Sequence, residues 1–250
     1  MNALVDHLLA VAWPDGVPQR LDGLIDRPLC TRHLADFKLG LVFPFDGSLR
    51  PVRLALSCQG ERSAWRRGVA ERWPAPALDD FFDHVPADTR LMVDSDGSDR
   101  AVVYLDDLQQ VDHRLQAPAG LELMCWTLEL PDGTDGFLTR HREPPHDRVP
   151  PGQQAHVQAL LDAGAEGLWA LRWRGDQPCA VLWVSESRWR ANAATTCQIA
   201  DQLGSHPGFR AALGCLAEQG HEGYPDVIEL RADGGIEVTL GILTTPGAQP

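Results

Sequence analysis

Hydrophobic and polar positions alternate with period two through ten short stretches of this chain, and the stretches come in pairs. Phe37–Phe43 pairs with Val52–Cys58, Arg90–Asp94 with Ala101–Leu105, and Leu121–Glu129 with Gly136–Arg142. Leu168–Arg174 then pairs with Cys179–Ser185, and Val227–Arg231 with Ile236–Ile242. Between the members of each pair stands a turn token: Asp46-Gly47, Asp96-Gly97, Asp132-Gly133, Gly175-Asp176 or Asp233-Gly234-Gly235. Such dipeptides supply the positive backbone angles of tight hairpins. The pattern predicts five hairpins, hence ten antiparallel strands.

Helical periodicity fills most of the intervals. Val5–Val11, Glu61–Trp73, Ala77–His84, Gln153–Ala163, Ala191–Leu203 and Pro207–Gln219 each carry an apolar face, and Asp106–Arg114 is at most a short helix. The hairpin-plus-helix unit recurs at roughly 36–59 residues, which reads as an internal repeat. No linker divides the chain, so 1–250 is read as one domain, with 1–34 a helical lead-in and 244–250 a tail.

Strand parity says which side chains share a face. Phe37, Leu39, Leu41 and Phe43 oppose Asp36, Lys38, Gly40 and Val42; Val52, Leu54 and Leu56 oppose Arg53, Ala55 and Ser57. Leu91 and Val93 oppose Arg90, Met92 and Asp94, and Ile236, Val238, Leu240 and Ile242 oppose Glu237, Thr239 and Gly241. Amphipathic helices require the apolar face. A ten-stranded sheet has exposed edges unless it closes, and closure turns the mixed face inward around a solvated lumen. The expected fold is therefore α+β: a ten-stranded antiparallel barrel surrounded by helices.

Composition narrows the partners. A formal charge of −13 and a pI near 5.0 argue against nucleic acid and against a polybasic grip on anionic lipid. No apolar run approaches the roughly 18 residues of a membrane span, and Leu8–Trp13 follows Asp6 rather than a basic region, so no signal peptide is expected. The six scattered cysteines contain no C-x-x-C pair and read as reduced thiols in a cytoplasmic protein.

Five helix-covered hairpins with a polar inner face resemble the aromatic prenyltransferases of the ABBA type. The local echoes are Leu34-Ala35-Asp36-Phe37 and Leu78-Asp79-Asp80-Phe81-Phe82. The resemblance rests on element order across nearly the whole chain. It implies a barrel holding an allylic prenyl diphosphate, such as dimethylallyl or geranyl diphosphate, beside an aromatic small molecule or peptide side chain. It also implies magnesium at Asp36. The chain is about fifty residues shorter than is usual for that family and has two tyrosines, Tyr104 and Tyr224, where the family screens its cation with several.

Prenyl transfer ionises an allylic carbon–oxygen bond, so the protein must neutralise the leaving diphosphate and shield a carbocation. By parity the cations for the first task are Lys38, Arg53, Arg90, Arg172 and Arg174, with Arg140 and Arg231 as further candidates. Tyr104 and Trp126 are the expected lumen aromatics, whereas Trp169 and Trp173 share a face with Leu171 and should pack under helices. Glu122, Glu229 or Glu237 could take the ring proton; Glu122 and Glu237 are the candidates carried forward as catalytic. A solvated strand end would equally explain Arg90, Arg174, Arg231 and any of these glutamates, whereas Lys38, Arg53 and Arg172 lie mid-strand.

Two rivals stand beside this reading. One is a non-catalytic barrel for a hydrophobic ligand or a partner protein, which the shortage of tyrosine favours; the other is an open sheet that dimerises through its polar face. Asp79-Asp80-Phe81-Phe82-Asp83 matches the D-D-x-x-D magnesium signature of class I terpenoid synthases. Those enzymes are all-helical, and five hairpins do not fit that architecture. The plain alternative is a short helix that turns Phe81 and Phe82 to the sheet and leaves the aspartates in water.

Overall fold

A computed structural model describes residues 3–25, 39–47, 51–57, 62–83, 85, 91–105, 121–163, 167–185, 198, 201–204 and 206–243. The ten expected strands are β1 Leu39–Pro44, β2 Arg53–Ser57, β3 Leu91–Ser95, β4 Ala101–Leu105, β5 Glu122–Leu130, β6 Thr134–His141, β7 Gly167–Arg174, β8 Gln177–Ser185, β9 Glu222–Arg231 and β10 Ile236–Leu243. Every strand pairs antiparallel with its chain neighbours, and β1 pairs with β10 through Leu41↔Leu240 and Phe43↔Val238. The sheet is thus a closed up-and-down barrel without a free edge, which excludes the open-sheet arrangement. The glycine of each turn token takes the expected positive backbone angle: Gly47, Gly97, Gly133, Gly175 and Gly234 have φ between 58° and 90°, a region glycine enters without steric penalty. Asp96 and Asp233 reinforce two of these turns by accepting from the backbone N–H of Ser98 and Gly235 at 2.9 and 3.0 Å.

β9 begins at Glu222, five residues before the pattern predicted. Pro225 masks the strand in the sequence, because proline cannot donate to a ladder. A bulge accommodates it: Thr239 faces Val227 and Leu240 faces Pro225, so Asp226 is the extra residue.

Six helices are described: α1 Ala3–Ala12, α2 Gln19–Asp22, α3 Arg62–Arg72, α4 Pro76–Asp83, α5 Gln154–Asp162 (entered through a 3-10 turn, Pro151–Gln153) and α6 Pro207–Glu218. The predicted helix over 106–114 lies outside the described residues; of that over 191–203, residues 198 and 201–203 are described, and they are helical. α6 shows how the sequence starts a helix. Pro207 occupies the first turn, where no N–H is required, and the His206 ring accepts from Gly208 N at 3.1 Å as the cap. Its Phe209 meets Phe43 and Phe45 edge-on, with centroids 5.6 and 5.1 Å apart.

The principal core lies between barrel and helices. Leu41, Phe43, Leu54, Leu56, Leu91, Val93, Trp169, Leu171, Trp173, Trp183, Val238 and Leu240 point outward and are buried there against α1, α3, α4, α5 and α6. No helix among the described residues is long and apolar enough to cross a membrane. The D-D-x-x-D run forms α4. Phe81 is buried on Trp126, with ring centroids 4.5 Å apart, while Asp79, Asp80 and Asp83 are exposed. That is the plain reading of the motif.

A second, smaller cluster of Tyr104, Cys125, Leu138, Ala170, Ala180 and Leu182 faces inward. Away from Arg53 and Glu237, the inner wall formed by β10, β1 and β2 carries small side chains, among them Gly40, Ala55, Thr239 and Gly241. A Cβ placed on Gly40 would meet Thr239 Cγ2 at 3.2 Å and Ala55 Cβ at 3.5 Å, which sets all three on one patch. Ala55, Met92, Thr239 and Val227 also face inward and are half-buried. These positions lie mid-strand between paired neighbours, so their remaining exposure is toward the lumen.

Candidate lumen site

The inward face carries its charges near the hairpin-turn end of the barrel. Arg53 on β2 donates to Glu237 Oε2 on β10 at 2.7 Å, and its Nε stands 3.2 Å from Asp94 Oδ1 on β3 in an ion-pair contact without hydrogen-bond geometry. Across the lumen, Arg172 on β7 donates to the Tyr104 hydroxyl on β4 at 2.7 Å and contacts Glu229 Oε2 on β9 at 3.1 Å. Its guanidinium carbon also lies 5.6 Å from the Tyr104 ring centre. Glu229 and Glu237 are directly opposite each other in the β9–β10 register. Six strands therefore contribute to one network, which parity made possible and barrel closure brought together.

The charge count decides what this network can hold. Asp94, Glu229 and Glu237 outnumber Arg53 and Arg172. Arg231 approaches Glu237 Oε1 only at 3.8 Å, because it is already forked onto Asp233 at the turn. Burial works against the charge of Arg53 and of Arg172, but the facing carboxylates outweigh it and both guanidiniums are held above their ordinary pKa. Burial is also the main reason the carboxyls of Asp94 and Glu237 and the Tyr104 phenol are pushed up, with the arginines pulling the other way.

This has a consequence for pH. A carboxyl whose folded pKa is raised is more readily protonated in the barrel than in the unfolded chain. The stability it contributes is complete below the ordinary carboxylate range and is lost as pH rises through the raised folded values. The free energy of unfolding attributable to Asp94 and Glu237 should therefore fall as pH increases above ~4. Denaturant midpoints measured across a pH series should show a shallower decline in Asp94→Asn than in the native chain; parallel curves would refute the assignment.

The remaining candidates are dispersed. Trp126 is not in the lumen: its register partner Leu105 faces outward, as do Leu128 and Leu130 on its own strand, and its ring packs on Phe81. Glu122 is exposed at a strand end, where it pairs with exposed Arg140 at 3.6 Å, away from the buried network. Arg174 is exposed beside the Gly175 turn and forks onto Glu129, with Nε 3.1 Å from Oε1. Trp169 and Trp173 lie under the helices as expected, and Trp183 joins them. Asp36, Lys38 and Arg90 lie outside the described residues. Asp36 is the residue the resemblance assigns to magnesium. Among the described residues no three His, Cys, Asp or Glu side chains stand together as a metal site, and the lumen carboxylates are engaged by guanidiniums.

Sequence reasoning did not find a second polar group, at the β9 bulge. The Ser185 hydroxyl donates to Asp226 Oδ1 at 2.9 Å and the Tyr224 hydroxyl donates to the same oxygen at 3.1 Å, all three residues being buried. Tyr224 lies over Gly241: a Cβ there would stand 2.6 Å from its ring. The signal available in the sequence was the glycine, opposite a tyrosine that needs its space. No protein-family profile and no curated protein sequence matches this chain.

Proposed function

We propose that the barrel is a binding protein whose lumen takes a small apolar molecule carrying an uncharged or cationic head. The observation that carries this reading is the pairing of the charged groups in the lumen. Both inward arginines of the buried network, Arg53 and Arg172, are engaged by buried carboxylates, and one carboxylate is in excess. A diphosphate entering there would have to displace those carboxylates while facing them at short range in a low-dielectric space. An uncharged head meets no such repulsion, and an ammonium group would complete the charge balance. Met92, Val102, Met124 and Val227, all partly buried and packed on the inner cluster, offer the wall for the apolar body.

The second reading is prenyl transfer from an allylic diphosphate to an aromatic acceptor. It is favoured by the closed barrel and by the meeting of Arg53, Arg172, Tyr104 and Glu237 at one lumen level. On that reading the two guanidiniums release Glu237 and Glu229 to grip the diphosphate oxygens, the C–O bond ionises to diphosphate and an allylic cation, the acceptor ring forms the new C–C bond to that cation, and a freed carboxylate accepts the ring proton.

A ligand series with one tail and three heads separates the two. We expect geranylamine and geraniol to bind saturably, as read by the tryptophan fluorescence and by calorimetry, with the amine the tighter. Geranyl thiodiphosphate, which cannot ionise readily, should bind the lumen at least tenfold more weakly than the amine. The opposite order, with Ala55→Trp abolishing thiodiphosphate binding, would establish the transferase reading instead.

A further inference from the structure

The geometry points to an oxyanion-binding groove on the outside of the barrel, between the end of α2 and the outer face of α3, suited to a small phosphate- or carboxylate-bearing molecule. α3 is anomalous in its charge: Arg62, Arg66, Arg67 and Arg72 stand against Glu71 alone, on a chain whose formal charge is −13. The groove has a cavity volume of about 370 Å³, and Leu24, Trp65, Arg67, Gly68, Glu71 and Arg72 line it.

Two glycines shape it. The Arg72 guanidinium lies where a side chain on Gly23 would be, with Nη2 2.2 Å from the position of such a Cβ. Nη1 of the same group donates to Gly68 O at 2.9 Å. Gly68 in turn lets Leu24 and Arg72 approach the helix, at 3.2 and 3.4 Å from where its Cβ would be. Arg72 is thereby held in place by a helix carbonyl and a glycine instead of by a carboxylate. Among the described residues, neither Arg67, which is exposed, nor Arg72 has a carboxylate partner. A guanidinium fork and a second guanidinium are the donor set an oxyanion requires. The acidic remainder of the chain repels extended polyanions, which restricts the occupant to a small molecule.

Inorganic pyrophosphate and succinate serve as probes, titrated calorimetrically into the intact chain at low ionic strength. Saturable binding is expected for at least one of them, and whichever binds tighter identifies phosphate or carboxylate as the recognised group. Arg67→Ala, an exposed substitution that leaves the fold intact, should weaken binding at least tenfold, and Arg67→Lys should restore part of it. Glu71→Gln, which removes the one negative group on the wall, should tighten binding several-fold. Absence of saturation with both probes at 10-millimolar order, or affinities that Arg67→Ala and Glu71→Gln leave unchanged, overturns the proposal. The probes have no apolar tail, so their binding is independent of the lumen reading: geranylamine should neither compete with them nor respond to Arg67→Ala.

Discussion

Arg172→Met is expected to lower the free energy of unfolding by about 3–5 kcal/mol, because it leaves a buried carboxylate without its cation. Glu229 is 6% exposed, and Arg172 supplies its ion pair from β7, two strands away past β8. Methionine keeps most of the apolar stem, so the loss reports chiefly on the stranded charge, together with the bond to the Tyr104 hydroxyl. In a chain of this size that corresponds to a fall in melting temperature of roughly 6–20 °C. The double variant Arg172→Met/Glu229→Leu should recover most of the loss, since removing both partners of a buried pair is often neutral or stabilising. Urea denaturation of the single and double variants measures both. If the single variant is as stable as the native chain, the buried network is not what holds β7 to β9.

Arg53→Met is expected to be at least as damaging, about 3–5 kcal/mol or more, because one guanidinium serves two buried carboxylates. Here the pH dependence distinguishes the cause. Without Arg53, Asp94 and Glu237 lose the cation that draws their pKa values down, while burial, which pushes them up, remains. Each then folds preferentially with its proton on. The deficit of the variant should therefore be largest near neutral pH and should shrink as pH falls toward 5, where protonation removes the unpaired charge. A deficit that is constant across pH would mean that lost packing, and not charge, is responsible. The same substitution bears on function: if Arg53 were free to hold a diphosphate, its removal would abolish binding and leave stability nearly untouched.

The two results together decide whether the inward cations are structural or functional. Paired charges in a closed barrel hold strands β2, β3, β7, β9 and β10 at fixed separations around the lumen. That work requires each arginine to keep its carboxylate. Binding an anion requires it to let go. The excess carboxylate tips the lumen toward the first role.

Much of this molecule could be read directly along the chain. The Asp-Gly and Gly-Asp tokens give the five hairpins because positive φ is a local property of glycine. Alternation in Leu39–Phe43, Arg53–Ser57, Leu91–Asp94 and Ile236–Ile242 assigns inner and outer faces because the strand period is two. Ten strands made barrel closure the expected way to remove the sheet edges, and the pairing of β1 with β10 decided it against an open sheet. The fate of Trp126 did not follow, because register against β4, a contact between distant segments, sets its face. Nor did the pairing of Arg53 with Glu237, 184 residues apart. Parity puts both in the lumen, but only closure of β10 onto β1 brings them to 2.7 Å and turns two apparently available charges into one neutral bond. Local rules thus reach as far as which way a side chain points. What it meets there depends on strands far away in the chain, and for a buried charge the neighbour is what makes it a ligand-binding group or a strut.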